Sequence, residues 1–356
     1  MKFLLIGNPC FCAALKALGH DVILASRPSA YPANTSIDIP ITITPTQVET
    51  INAALPNGWH PDWVFLCDDS TFPIVIGLES LPYPLAWYAI DSHIQGSWHS
   101  WYATVFDYIF VAHKDYLINY RINERGAMVK WLPVFCDPAK DRYLDREKIH
   151  DISFVGTMNP DLNPKRVEFI EAVKKRIPIN VAQGEYVEIF NQSKMVLNQC
   201  VQNDLNLRVF EVMACGSLLL TEDSNNGLKD LFVDKKHLAL YHQNDVDSVV
   251  KQFDHYMENE DKLKAISQCG MDEVHNKHTV NRRIKMVVDL LGKEPAQKLL
   301  EKRHKQLPFI KQNVAKVMNY VAMVYFYQSE TTNDLNRAKR LLLVCQNYVK
   351  IIKSLS

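Results

Sequence analysis

The chain has 356 residues, 47% apolar and 22% charged, and its 40 Lys and Arg are matched by 40 Asp and Glu. That length suits two domains with sizeable cores, and the zero net charge excludes a chain whose overall field recruits nucleic acid. No apolar run reaches the ~20 residues of a membrane helix, MKFLLIG is not built as a signal peptide, and the eight cysteines contain no CxxC pair, so the expectation is a reduced cytoplasmic protein with no integral membrane segment and no metal site.

Strand and helix alternate from the first residues. KFLLIG reads as a strand, PCFCAALKALGH as a helix closed by Gly19, and DVILAS as a second strand. Further strands are predicted at 62–68, 84–91, 107–113 and 129–133, which makes residues 1–136 a doubly wound parallel α/β domain. The polar stretch DPAKDRYLDREKIH, 137–150, reads as a linker. A second series follows: strand 151–155, helix 164–176, strand 178–182, helix 185–193, strand 195–200, helix 206–215, strand 217–221, a short helix 227–232, strand 237–241 and helix 245–259. These form a second α/β domain over 151–273. Residues 274–291 are predicted as a crossover helix, and 292–356 as a basic helical extension with a hairpin at 309–328 and 334–354. That extension holds 12 Lys or Arg against 4 Asp or Glu. A solvated basic face on a packing hairpin is the plainer account of it. Association with a partner, or with itself, through 292–356 stays open. Two α/β domains in tandem imply a cleft lined by strand C-terminal ends.

The segment NDLNLRVFEVMACGSLLLTED, 203–223, contains an awkward charge. The helix from Asn206 is apolar almost all round, yet Arg208 sits in its first turn, where the dipole is already positive. A purely structural account pairs Arg208 with Asp204 or Glu211. The alternative is an anion bound by the helix N-terminus and the guanidinium together. A second segment, ISFVGTMNPDLNPKR, repeats the inversion: a strand ends at Gly156 and Thr157, Asn163 and Pro164 suit a helix start, and Lys165 and Arg166 fall in the first turn. One diphosphate would explain both. The first strand turn reads GNPCFCAALKALG, which is neither the G-x-G-x-x-G dinucleotide fingerprint nor a Walker A loop. Glu211, one turn beyond Arg208, is placed to accept from ribose hydroxyls. A nucleotide sugar is therefore the natural ligand class.

These residues also resemble a known family. LNLRVFEVMACGSLLLTED, with GLKDLF and HLALYHQNDVDSVV behind it, resembles the donor-binding half of GT-B glycosyltransferases, and within them the CgeB-like, spore-maturation type group. FVGTMNPDLNPKR resembles the start of that group's second domain, and DWVFLCDDS and WYAIDSHIQGSWHSWYATVFDYIFVAHKDY its first. The likeness spans about residues 1–290. It implies two Rossmann-like domains facing across a cleft, with a nucleoside-diphosphate sugar as donor substrate and no other cofactor. By position, Gly156, Thr157 and Arg166 would lie near the donor phosphates, Asn206 and Arg208 on the diphosphate, Glu211 on the ribose, and Gln183 with Gly184 beside the base. Retaining members carry E-x7-E. Here the first of those positions is Asn203, which leans toward inversion. No metal is expected on this fold, and Asp68 and Asp69 of CDDS read as caps.

An inverting transfer needs a group that takes the acceptor proton. Asp91 and His93 follow the strand 84–91 and are the candidates, with Asp91 as base or as the group orienting His93. Asp91 could equally begin a turn and His93 lie in a loop. All six tryptophans fall in the first domain, and Trp98 and Trp101 beside the base are candidate sugar-stacking faces for an acceptor, a protein or glycan left unidentified. Two rival functions remain: a nucleotide-sugar-modifying Rossmann enzyme, against which the missing glycines and Tyr-x-x-x-Lys pair argue, and a non-catalytic nucleotide-binding protein whose helical tail docks a partner.

Overall fold

The computed structural model describes residues 1–121 and 127–355. The chain divides into two compact units, Met1–Leu132 with Ile284–Ser356, and Pro133–Arg283.

The first unit runs β1 (Lys2–Gly7), α1 (Cys12–Ala17), β2 (Asp21–Ser26), β3 (Ile39–Pro40), β4 (Thr46–Gln47), α2 (Val48–Ala53), β5 (Trp63–Cys67), β6 (Val75–Ile76), β7 (Leu85–Ala89), α3 (Ser92–Tyr102), β8 (Tyr108–Val111), α4 (Leu117–Arg121) and β9 (Met128–Trp131). Seven strands form a parallel sheet in the order β3-β2-β1-β5-β7-β8-β9. Phe3, Leu4, Leu5 and Ile6 are all fully buried, so β1 is covered on both faces, which is why its sequence is a continuous apolar run rather than an alternation. The strand order reverses between β1 and β5. There the two chains approach so closely that a Cβ on Gly7 would lie 2.4 Å from the Cys67 carbonyl oxygen, and Gly7 has φ +91. Only glycine fits that place.

The second unit runs β10 (His150–Val155), α5 (Pro164–Lys174), β11 (Ile179–Ala182), α6 (Val187–Asn191), β12 (Ser193–Asn198), α7 (Leu207–Ala214), β13 (Leu218–Glu222), α8 (Leu228–Leu231), β14 (Ala239–Tyr241), α9 (Val246–Glu258) and α10 (Glu260–Lys277). Its parallel sheet has the order β11-β10-β12-β13-β14 and its own core, including Ile152, Ile170, Leu197 and Leu220. The predicted linker 137–150 is not free-standing. Tyr186 donates to Asp141 at 2.6 Å, the Leu144 amide to Asn191 at 2.6 Å, and Lys148 to Ser217 at 3.2 Å. Polar side chains that read as solvated in the sequence instead strap this segment onto the second unit. The chain enters and leaves that unit side by side, since the Cys136 amide donates to His278 and the Val280 amide to Cys136.

The last helices are α11 (Val280–Leu291), α12 (Ala296–Lys305), α13 (Leu307–Thr331) and α14 (Leu335–Leu355). Residues 284–356 group with the first unit rather than standing apart as an extension. Ile310, Val314, Val317, Val321, Cys345 and Tyr348 join its core. Arg303 of α12, 2% exposed, donates to Asp107 at 2.9 Å, to the Tyr83 carbonyl at 2.6 Å and to that of Leu81.

Candidate donor site and candidate base

In the second unit the strand order reverses between β10 and β12, and ligands of open α/β sheets bind at the C-terminal ends flanking such a reversal. Gly156 and Thr157 continue from β10, and Gln199 and Cys200 from β12. Arg166, in the first turn of α5, spans the two. Its Nε donates to the Gln199 side chain at 2.9 Å and its Nη2 to the Gln199 carbonyl at 3.1 Å, and the guanidinium lies 5.9 Å from the Phe154 ring centre. Both hydrogen-bond partners are neutral. Burial holds Arg166 below its ordinary pKa; Asp204 opposes that, and the charge of Arg208 adds to it. The two guanidinium groups are therefore close enough to repel.

Arg208 lies in the first turn of α7, over the rings of Tyr186 (4.9 Å) and Phe190 (5.1 Å). It pairs with Glu211 at 3.2 Å, the partner that the purely structural account of its charge requires. That ion pair runs through Nη1, which is buried and makes no hydrogen bond. Glu211 is itself mostly buried, and burial raises its pKa while Arg208 opposes the rise. Asn206, the N-cap residue, does not cap. Its side chain turns to Asn198 (3.3 Å) and Asp204 (3.5 Å) and so satisfies none of the first N–H groups of α7. Asn163 likewise begins α5 without a side-chain cap, contrary to expectation.

The remaining donor candidates are spread more widely. Thr157, Gln183 and Gly184 are exposed, and Gly184 turns with φ +89 and open space around it. Gly156 is glycine for a nearer reason than a ligand: a Cβ there would meet the Phe154 ring at 2.8 Å. Asn203, at the position where E-x7-E would place a glutamate, is left-handed, and its side chain accepts from the Asn225 amide at 3.1 Å. Tyr186 and Gln199 went unremarked in the sequence. An aromatic residue two places after Gly184 was a faint signal for the first; a lone Gln gives none for the second.

In the first unit a polar cluster gathers at the C-terminal ends of β5, β7 and β8. Asp91 precedes α3 in a left-handed conformation (φ 41, ψ 30), caps nothing with its side chain, and accepts from the Ser70 hydroxyl. His93 and His113 meet edge to face with ring centres 4.7 Å apart. The Nδ1 of His93 and both ring nitrogens of His113 are buried without hydrogen-bond partners. Burial lowers both histidines, His113 to about 3, whereas Asp91 pulls His93 back up. Beneath them His99 accepts from or donates to Tyr120 at 2.6 Å and lies 3.6 Å from Asp68. Burial disfavours the charged form of both, lowering His99 to about 3 and raising Asp68 well above its ordinary value.

Trp98 is corrected. It is 2% exposed, packs against Trp87, Tyr102 and Phe72, and donates to Gln95 at 2.7 Å. A buried indole offers no face to a sugar. Trp101 is half-buried against the same core. Asp68 accepts from the Ser70 amide as a turn cap, as read from the sequence, while Asp69 pairs with Arg27 at 2.6 Å instead.

Residues 135–289 match a protein family described as Glycosyl transferase-like. No curated protein matches the sequence. Among solved structures, the chain is similar to sucrose-phosphate synthase from Thermosynechococcus elongatus at 10% identity, with 82% of this chain and 99% of that chain covered and a TM-score of 0.57. It is similar to HepE of Anabaena in complex with UDP and glucose at 9% identity, with coverage of 83% and 100% and a TM-score of 0.60. A glycosyltransferase from Rickettsia africae aligns at 11% identity, with coverage of 82% and 97% and a TM-score of 0.57. The fold is thus that of the GT-B glycosyltransferases, two parallel α/β units with a C-terminal helical region, and residues 135–289 are similar to glycosyl transferases.

Proposed function

We propose that this chain, a member of the CgeB-like group its motifs resemble, moves a sugar from a nucleoside-diphosphate sugar to a hydroxyl acceptor, with inversion and without a metal ion. The observation that carries this is the pair of guanidinium groups at the starts of α5 and α7, whose N-cap side chains do not cap, beside the strand reversal, with Arg166 held by a neutral amide and Arg208 held to Glu211 through a buried Nη1 that makes no hydrogen bond. Two mutually repelling cations at two positive helix ends call for an anion. The diphosphate would take Arg166, Arg208, Thr157 and the N–H groups of α7, the ribose Glu211, and the base the Gln183–Gly184 turn. That the similar Anabaena protein was solved with UDP and glucose supports the same ligand class.

In this reading Asp91, with His93, removes the proton from the acceptor hydroxyl as its oxygen bonds to the anomeric carbon. The bond from that carbon to the diphosphate oxygen breaks, and the electron pair leaves with the diphosphate. Negative charge then grows where the two arginines and the helix ends lie, so they bind the transition state more strongly than the ground state. No described helix is long and apolar enough to cross a membrane, and a cytoplasmic enzyme is the proposal. The test is a panel of UDP-, GDP-, dTDP- and CDP-sugars, scored for thermal shift by the nucleoside diphosphate and for diphosphate release. One nucleotide should do both. A shift with no turnover across sugars and acceptors would favour the non-catalytic binding protein, and a chemically altered sugar nucleotide a modifying enzyme.

A further inference from the structure

The α13–α14 hairpin carries a feature that the transfer reaction does not use. Of the eighteen large apolar side chains exposed among the described residues, seven lie within 323–349: Met323, Phe326 and Tyr327 on α13, and Leu335, Leu342, Leu343 and Val349 on α14. Tyr327 is 68% and Leu335 77% exposed. Scattered exposed apolar residues are ordinary, but a concentration of this kind marks an interaction surface.

Helix α14 is apolar on two sides. One side is anchored: Cys345 and Tyr348 are buried, and the Tyr348 hydroxyl donates to the Pro73 carbonyl at 3.0 Å. On the other, Leu335, Leu342 and Val349 recur every seven positions, which returns them to one stripe of the helix. Exposed Lys339 and Lys350 lie on that solvent side and Arg340 at its far edge, whereas Arg337, also exposed, falls at the azimuth of the anchored side. From 335 to 355 the sequence holds five Lys or Arg and no Asp or Glu. Of the nearest acids, exposed Glu330 lies in the last turn of α13, on the stripe of Met323 and Phe326, and Asp334 sits at the turn, where it already accepts from the Asn336 and Arg337 amides.

We infer that this hairpin face docks on an anionic lipid bilayer surface. Apolar side chains beside cations that have no acid on their own helix are what an interfacial helix presents: the apolar groups enter the headgroup boundary while Lys and Arg meet lipid phosphates. A second copy of the chain fits worse, because pairing α14 with itself sets one acid-free basic face against another. Binding is peripheral and brings the enzyme to a membrane surface.

The experiment uses the full chain with phosphatidylcholine vesicles, alone or containing phosphatidylglycerol, in a flotation assay. Affinity should be at least about tenfold greater for the anionic vesicles and should fall in high salt. K339E/R340E should reduce it to the level of the neutral vesicles, and F326S/Y327S should also weaken it. Both variants change exposed residues, so circular dichroism should match the parent. Equal binding to both vesicle types, no binding to either, or binding that survives K339E/R340E would overturn the inference. So would a dimer seen by light scattering that F326S/Y327S dissolves, since the face would then be occupied by a second copy.

Discussion

Replacing Arg303 by Ala should destabilise the first unit severely. Its guanidinium is 2% exposed and makes three hydrogen bonds, to the Asp107 carboxylate, 4% exposed, and to two backbone carbonyls. The Leu85 amide still donates to Asp107, at 2.8 Å, but the carboxylate would lose its buried counter-charge. Breaking a buried pair from one side typically costs about 3–5 kcal/mol, a large share of the roughly 5–15 kcal/mol that holds a domain together. Arg176 provides the control. It pairs with Asp247 at 2.8 Å, but the two side chains are 50% and 82% exposed, so solvent screening should keep Arg176→Ala below about 1 kcal/mol. All six tryptophans lie between residues 59 and 131, so tryptophan fluorescence in a urea titration reads the first unit alone. Arg303→Ala should lower that midpoint markedly, and Arg176→Ala, whose pair lies in the second unit, should match the parent when unfolding is followed by circular dichroism, which reads both units. If both variants kept the parent's midpoint, α12 would not be the fastening that ties the C-terminal helices to the sheet.

Two further outcomes concern the polar cluster. His113 is held to about 3 by burial, against an ordinary value of 6.5, so between those pH values the folded state binds fewer protons than the unfolded chain. Its contribution to stability is complete above the ordinary value and is lost as pH falls, by about 2 kcal/mol at pH ~5. His113→Gln should therefore flatten the acid side of the fluorescence-monitored stability profile by that amount; an unchanged slope would mean that His113 titrates freely. Asp91→Asn and His93→Ala should lower turnover by about 10²–10⁴-fold once a donor is identified, with nucleoside-diphosphate affinity measured by calorimetry unaltered. Full activity in both would place the base elsewhere.

The alternating strands and helices were legible because buried parallel strands are continuous apolar runs; β1, β2, β5, β7 and β8 each fall on such a run. The two-residue strands β3, β4 and β6 were not, since so short a segment has no period to read. Helix α3 was missed for a different reason. SHIQGSWHSWY is rich in Ser, Gly, His and Trp, all modest helix formers, and packing of Trp98, His99 and Tyr102 into the core decides its conformation. The nearness of Trp98 to Asp91 and His93 suggests a sugar platform, and its burial in the core is not visible in that spacing. At the donor site, charges set against helix dipoles were visible in the sequence. Glu211, the partner of Arg208 three residues on, was visible too, but more distant partners were not: Gln199 is 33 residues from Arg166 and Asp141 is 45 from Tyr186, and pairs that distant leave no local pattern.

The central claim is that the cations at the starts of α5 and α7 bind a diphosphate, and calorimetric titration with the nucleoside diphosphate chosen by the panel tests it most directly. Loss of a charge-assisted contact is worth about 1.5–3 kcal/mol, so Arg208→Ala and Arg166→Ala should each weaken binding roughly ten- to hundredfold, while Arg176→Ala matches the parent. Undiminished affinity in Arg208→Ala and Arg166→Ala alike would contradict the account.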